Sequence, residues 1–194
     1  MRKYLIISLL ASYSIVFAGE SEDFKAVDNL YKERNFKAAL VESEKFLQKY
    51  PESKHQKSMR DKVAKIYFLE KNYKKAEEIF KKLFMMEEKQ SQKDEYASYL
   101  ARANALLNNS DSAMFYVKEI KDKKVFQKTF FAVAQNFLAK ENNEAALKAY
   151  KEIIDNKYES YKESMMGLGI VYYNLKDYDK SIYWLSEFSK EMPK

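Results

Sequence analysis

The chain has 194 residues and a formal charge of +6, with no Cys, 3 Gly and 2 Pro. The lack of Cys excludes disulfides, thiolate metal sites, cysteine nucleophiles and a lipid-bearing lipoprotein cysteine, and the scarcity of Gly argues against β-rich folds and phosphate-cradling loops. Hydrophobic residues make up 46% of the chain, with 16 Tyr and 13 Phe, too many for a disordered chain, and abundant Lys, Glu, Ala and Leu point to helices.

Residues 1–18, MRKYLIISLLASYSIVFA, have the three parts of a secretory signal in order. Arg2 and Lys3 form the charged start, Tyr4 to Phe17 the apolar stretch, and Val16-Phe17-Ala18 the cleavage region. The apolar stretch is shorter than the ~20 residues that span a bilayer and is interrupted by Ser8, Ser12 and Ser14. The expectation is cleavage after Ala18 and a periplasmic or secreted protein without a lipid anchor. An uncleaved anchor is the other reading. The polar run Gly19-Glu20-Ser21-Glu22-Asp23 follows at once.

From there the chain reads as five helix pairs, at about 22–55, 57–90, 94–124, 126–159 and 161–194. Each has an apolar helix, a short polar turn and a second helix with a small residue near its start. The turns are Arg34-Asn35-Phe36, Lys71-Asn72-Tyr73, Asn108-Asn109-Ser110, Glu141-Asn142-Asn143 and Lys176-Asp177-Tyr178. The small residues are Ala39, Ala76, Ala113, Ala146 and Ser181, at intervals of 37, 37, 33 and 35. A small side chain lets the two helices of a hairpin approach closely, and Asn or Asp in the turn can cap the second helix. Phe80, Val117, Tyr150 and Leu185 lie four residues beyond the small position and fill the space beside it, whereas the first unit has Ser43 there. Loop length beyond the usual repeat is expected at Glu87–Lys93.

These units resemble tetratricopeptide repeats. The last carries Leu168-Gly169, Tyr172, Asp177-Tyr178, Ser181-Ile182 and Pro193 at that family's spacings; the second carries Ala64, Tyr67, Asn72-Tyr73, Ala76 and Phe80. The fourth offers Ala134, Phe137, Ala146 and Tyr150, and the first keeps Asn35-Phe36, Ala39 and Pro51. The third has Asn104 where an aromatic is usual, and the family's tryptophan position is filled by Asp23, Arg60, Ala97, Phe130 and Met165. The resemblance implies an all-α, right-handed solenoid of helix-turn-helix units over residues 22–194.

It also implies a groove lined by the first helices, with Lys65, Phe68, Arg102, Leu106, Phe131, Gln135, Leu138, Met166, Ile170 and Tyr173 facing it. Two readings stand for Phe131, Leu138 and Ile170: contact with a partner, or packing between neighbouring units. Lys65 and Arg102 point more clearly to a partner, because a charge at such a position is costly to bury unpaired. On the last helix Ile182, Trp184, Leu185 and Phe188 form an apolar edge where a partner, a second copy or a longer array could dock, unless Tyr183 and nearby Lys residues shield it.

His55 is the only histidine and falls in a polar stretch after Pro51, where a solvated side chain is expected. Acid pairs such as Glu77-Glu78 and Asp28 with Glu33 are ordinary on solvated helices. Nucleophile elbows, nucleotide-binding loops and metal-binding helix signatures are not present. Lys and Glu alternate and do not form a basic stripe, which argues against nucleic acid. The expectation is a protein without enzymatic activity, cofactor or metal that binds other proteins in the cell envelope. A periplasmic chaperone and a non-catalytic module of cell-wall machinery are the alternatives.

Overall fold

The computed structural model describes residues 19–191. The leader and Pro193 lie outside the described residues. All regular structure in this range is helical. The described part of α1 covers 19–32. It is followed by α2 (Phe36–Lys49), α3 (Gln56–Leu69), α4 (Tyr73–Met86), α5 (Gln90–Leu106), α6 (Ser110–Glu119), α7 (Lys123–Ala139), α8 (Asn143–Asp155), α9 (Tyr161–Asn174) and α10 (Tyr178–Glu191). The helices alternate as the five expected pairs.

Every hairpin turn uses the same backbone device. Its first residue, Arg34, Lys71, Asn108, Glu141 or Lys176, takes a left-handed conformation with φ between 58° and 64°. The next residue's amide then bonds back to a carbonyl five residues earlier, as from Asn35 to Leu30 at 2.9 Å and from Asp177 to Tyr172 at 2.9 Å. This terminates the first helix and satisfies its last carbonyls. Asn35, Asn142 and Asp177 then cap the second helix by accepting from the amides of Ala38, Ala145 and Lys180. Asn109 departs from this pattern: its side chain donates to Asn104 at 3.5 Å.

The five small residues are all buried, the four alanines fully and Ser181 to 4% exposure. The Ser181 hydroxyl donates to the Gly169 carbonyl at 2.9 Å, tying α10 to α9. Ser43, the exception in the first unit, is also buried and donates to the Ala39 carbonyl at 2.6 Å, so its hydroxyl is satisfied within α2.

The chain forms two compact units that divide at the turn between Asn72 and Tyr73. In the first, Val27, Phe46, Tyr50 and Met59 make a core that Phe24 and Leu47 flank. His55 is half-buried there, its ring stacked on Phe24 at 4.1 Å. The expected solvated histidine is therefore a packing residue, because the turn after Pro51 folds back over α1. In the second unit α5 packs on α7 and α7 on α9, while α6, α8 and α10 each pair with the preceding first helix. The first helices thus share one face. Phe80, Leu100, Phe130, Phe137, Ile153 and Leu168 fill the interior.

The long loop expected at Glu87–Lys93 is not formed. Only residues 87–89 separate α4 from α5, and α5 begins at Gln90 and runs 17 residues. The additional length is absorbed as helix because no Pro or Gly interrupts Gln90–Lys93. This extension brings in Asp94, 2% exposed. Its carboxylate accepts from the amides of Lys121 at 3.0 Å and Asp122 at 2.9 Å, and from the Gln90 side chain at 2.7 Å. The Asp122 side chain in turn accepts from Val125 at 2.8 Å and starts α7.

Candidate protein-binding site

In the second unit the shared face of the first helices carries two distinct patches. Between α5 and α7 lies a depression of about 560 Å³ with a mixed lining, Glu95, Ser98, Tyr99 and Arg102 from α5 and Val125, Lys128, Thr129 and Ala132 from α7. Its floor is held by a hydrogen bond from the Thr129 hydroxyl to Ser98 at 2.7 Å. Arg102 is half-buried, its guanidinium 5.9 Å from the Tyr99 ring centroid, and Tyr99 stacks on Phe80 at 4.6 Å. The aromatic stack fixes where the charge sits. Lys128 stands exposed on the opposite wall.

The second patch is apolar and lies on α9. Met166, Ile170 and Tyr173 are spaced by four and three, on one side of the helix, with exposures of 41%, 39% and 63%. Gln135 of α7 is exposed, whereas Leu106, Phe131 and Leu138 are half-buried. Phe131 meets Tyr150 edge-on at 6.3 Å, so much of its surface is used in packing α7 against α8.

In the first unit, Lys65 is paired on its own helix with Asp61 at 2.8 Å, both side chains under 20% exposed. Phe68 is only 8% exposed and belongs to the interior. Sequence reasoning missed Tyr99, Lys128 and Glu95. The signal was the register, since Tyr99 precedes Arg102 by three and Lys128 precedes Phe131 by three, one helical turn in each case.

The apolar edge on α10 is divided. Ile182 and Leu185 are 64% and 40% exposed, while Trp184 and Phe188 are half-buried. Leu185 also reaches the α9 backbone, where a Cβ on Gly169 would lie 2.7 Å from its Cγ.

Many solved structures share this arrangement. One is MamA, 16% identical, with a TM-score of 0.65 over 88% of this chain and 90% of that one. The fold is that of the tetratricopeptide repeats. A tetratricopeptide repeat protein from Parabacteroides merdae is 12% identical, with a TM-score of 0.62 over 90% of this chain and 67% of that one. YrrB, described as a tetratricopeptide protein with an unusual peptide-binding site, is 14% identical, with a TM-score of 0.57 over 84% of this chain and 80% of that one. No protein-family model and no curated protein matches the chain. The tetratricopeptide fold accounts for the recurrent small residues and left-handed turns, since each hairpin must present the same stacking surfaces to its neighbours.

Proposed function

We propose that this chain is an exported, non-enzymatic interaction protein that holds a peptide segment or helix of a partner against the shared face of α5, α7 and α9. The observation that carries this reading is the pairing of an exposed apolar stripe, Met166, Ile170 and Tyr173, with a neighbouring depression of mixed lining that contains the cationic Arg102 and Lys128. Peptide recognition needs both: apolar contacts supply affinity, and fixed polar groups set direction and register. The peptide-binding site in the printed description of YrrB adds support by analogy of fold. Arg2, Lys3 and the apolar stretch to Phe17 support export to the cell envelope. Arg102 and Lys128 favour an acidic or carboxylate-bearing segment, with Glu95 limiting where that charge can lie.

The test is an affinity capture from envelope extract of the host, comparing the wild-type chain with Arg102→Glu and Ile170→Asp variants whose helicity is checked by circular dichroism. The expected result is one dominant partner, retained by the wild type and lost from both variants. Capture of many proteins, equally by all three chains, would replace this reading with that of a general chaperone.

A further inference from the structure

The last turn of α4 and the connection from α6 to α7 meet at one end of the second unit. The Phe84 ring stands edge-on to Tyr116 of α6 at 5.6 Å. Asp94, near the start of α5, accepts from the amides of Lys121 and Asp122. These contacts bring together two segments that are distant in sequence.

Met85 and Met86 are 73% and 78% exposed, more than any other large apolar side chain among the described residues. Four positions before them on α4, Lys81 and Lys82 are exposed as well. In the α6–α7 connection and the first turn of α7, Lys121, Lys123 and Lys124 are exposed too. None of these five lysines is in an ion pair with a described residue, whereas Lys148 and Lys180 of the same unit pair with Glu144 and Asp177. The exposed acids of the two segments are Glu88 and Asp122, and the Asp122 side chain already caps α7. Glu119 is half-buried, and Glu87 and Asp94 are buried. The next connection, from α8 to α9, carries Asp155 and Glu159 beside Lys157, so the positive charge is centred on α4 and the α6–α7 connection.

A single exposed methionine needs no explanation, but two apolar tips among unpaired lysines match an anionic bilayer on both counts. An unbranched thioether chain reaches into the headgroup layer. Lysine keeps its ammonium at the lipid phosphates while its stem lies along apolar surface. Recognition of one defined carboxylate favours the planar arginine fork, and neither segment contains an arginine.

We propose that this end of the second unit docks on an anionic lipid bilayer, with Met85 and Met86 in the headgroup layer and the five lysines at the phosphates. The attraction is screened by salt, and each lysine near the surface strengthens binding about fivefold. The surface uses neither Arg102 nor Lys128, so this proposal and that of the peptide-binding face can fail separately.

The chain has no Cys, so a polarity-sensitive dye can be attached to the full chain at one chosen position. It is placed at Met86→Cys and, as a control, at Ala139→Cys, an exposed site at the far end of α7. Both chains carry the same N-terminus, so any contribution of the leader is common to them. With vesicles of equal parts phosphatidylglycerol and phosphatidylethanolamine, the dye at position 86 should shift to the blue and the dye at 139 should not. Vesicles of phosphatidylcholine should give no shift, and salt at about 0.5 M should reverse the response. Adding Lys121→Gln, Lys123→Gln and Lys124→Gln should raise the lipid concentration for half the shift at least about tenfold. The circular dichroism spectrum should not change, because the three side chains are exposed and the backbone bonds to Asp94 are kept. No shift at position 86, an equal shift at 139 or on phosphatidylcholine, or a response the lysine changes leave intact would each overturn the proposal. So would a response at 86 to soluble polyglutamate but to neither vesicle, which would assign the lysines to an acidic protein.

Discussion

The ring of Tyr150 in α8 lies directly against the backbone of Gly167 in α9, so that a Cβ on Gly167 would come within 2.7 Å of Cε1 and 2.8 Å of Cε2. Tyr150 is 2% exposed, and burial raises its hydroxyl pKa to about 12. The absence of a side chain at one position is what gives the ring its place between the fourth and fifth repeats.

Gly167→Ala should therefore destabilise the protein although Ala is the better helix former. Helix propensity favours Ala by about 1 kcal/mol, whereas overpacking a filled core costs typically about 1–3 kcal/mol. With the Tyr150 ring 2% exposed, a net loss of up to about 2 kcal/mol is expected. Combining the change with Tyr150→Leu should recover part of it. Urea denaturation of both single variants and the double variant measures the coupling; strictly additive losses would rule out the contact as the cause.

Asp94 is a second point of dependence. Its carboxylate serves two backbone amides that open the third repeat's connection to α7, and it is almost fully buried. Asp94→Ala leaves the amides of Lys121 and Asp122 without that acceptor, and Asp94→Asn places an amide donor among donors. Either change should cost about 2–4 kcal/mol. Hydrogen exchange at Lys121 and Asp122 should accelerate first, and unchanged protection there would contradict the role.

The turns offer a change in the opposite direction. Glu141 has φ of 58°, a conformation that costs a non-glycine residue free energy and costs glycine little. Glu141→Gly should stabilise by about 0.5–1 kcal/mol, after subtraction of glycine's greater unfolded-state entropy. A lower thermal midpoint would show that the Glu141 side chain contributes more than its backbone costs.

Asn142 joins two successive turns. Its side-chain amide donates to Asn108 at 2.7 Å and Ser110 at 3.0 Å, and its carbonyl accepts from Ala145 at 3.2 Å. Loss of the cap and the cross-repeat bonds in Asn142→Ala should cost about 1–2 kcal/mol. Asn142→Asp keeps the cap and loses the donors, so it should retain about half of the stability. Thermal melts of the pair distinguish capping from cross-repeat bonding.

In the first unit Asp23 sets an acid sensitivity. Hydrogen bonds from Lys49 and then Tyr50, both 2.8 Å, hold its carboxyl below the ordinary carboxylate range, against the opposing effect of burial. A carboxyl with a lowered folded-state pKa adds stability that is fully present above its unfolded value of about 3.9 and is lost as pH falls through the folded value. Docking of α1 on α2 should weaken below about pH 4. Asp23→Asn should flatten that part of the profile, followed through amide exchange in α1 between about pH 2 and 5.

The turn positions, the small residues and the order of ten helices were all legible in the amino-acid string. They depend on interactions within a few residues, such as a left-handed turn, a side-chain cap or a small residue at a helix crossing. Residues whose meaning comes from neighbours distant in sequence were not legible. His55 reads as a polar-loop residue until Phe24, thirty-one positions earlier, is seen beneath its ring. Asp94 reads as one more surface acid until the amides of Lys121 and Asp122 close on it. Arg102 and Lys65 looked equivalent in register, yet Arg102 lies beside the Tyr99 ring at a depression between α5 and α7, and Lys65 lies beside Asp61 on its own helix. Local backbone and spacing rules thus determined the repeat architecture. The tertiary structure decided which polar groups serve the interior and which stay at the surface, because that depends on which charges and amides the stacked helices bring within hydrogen-bond reach.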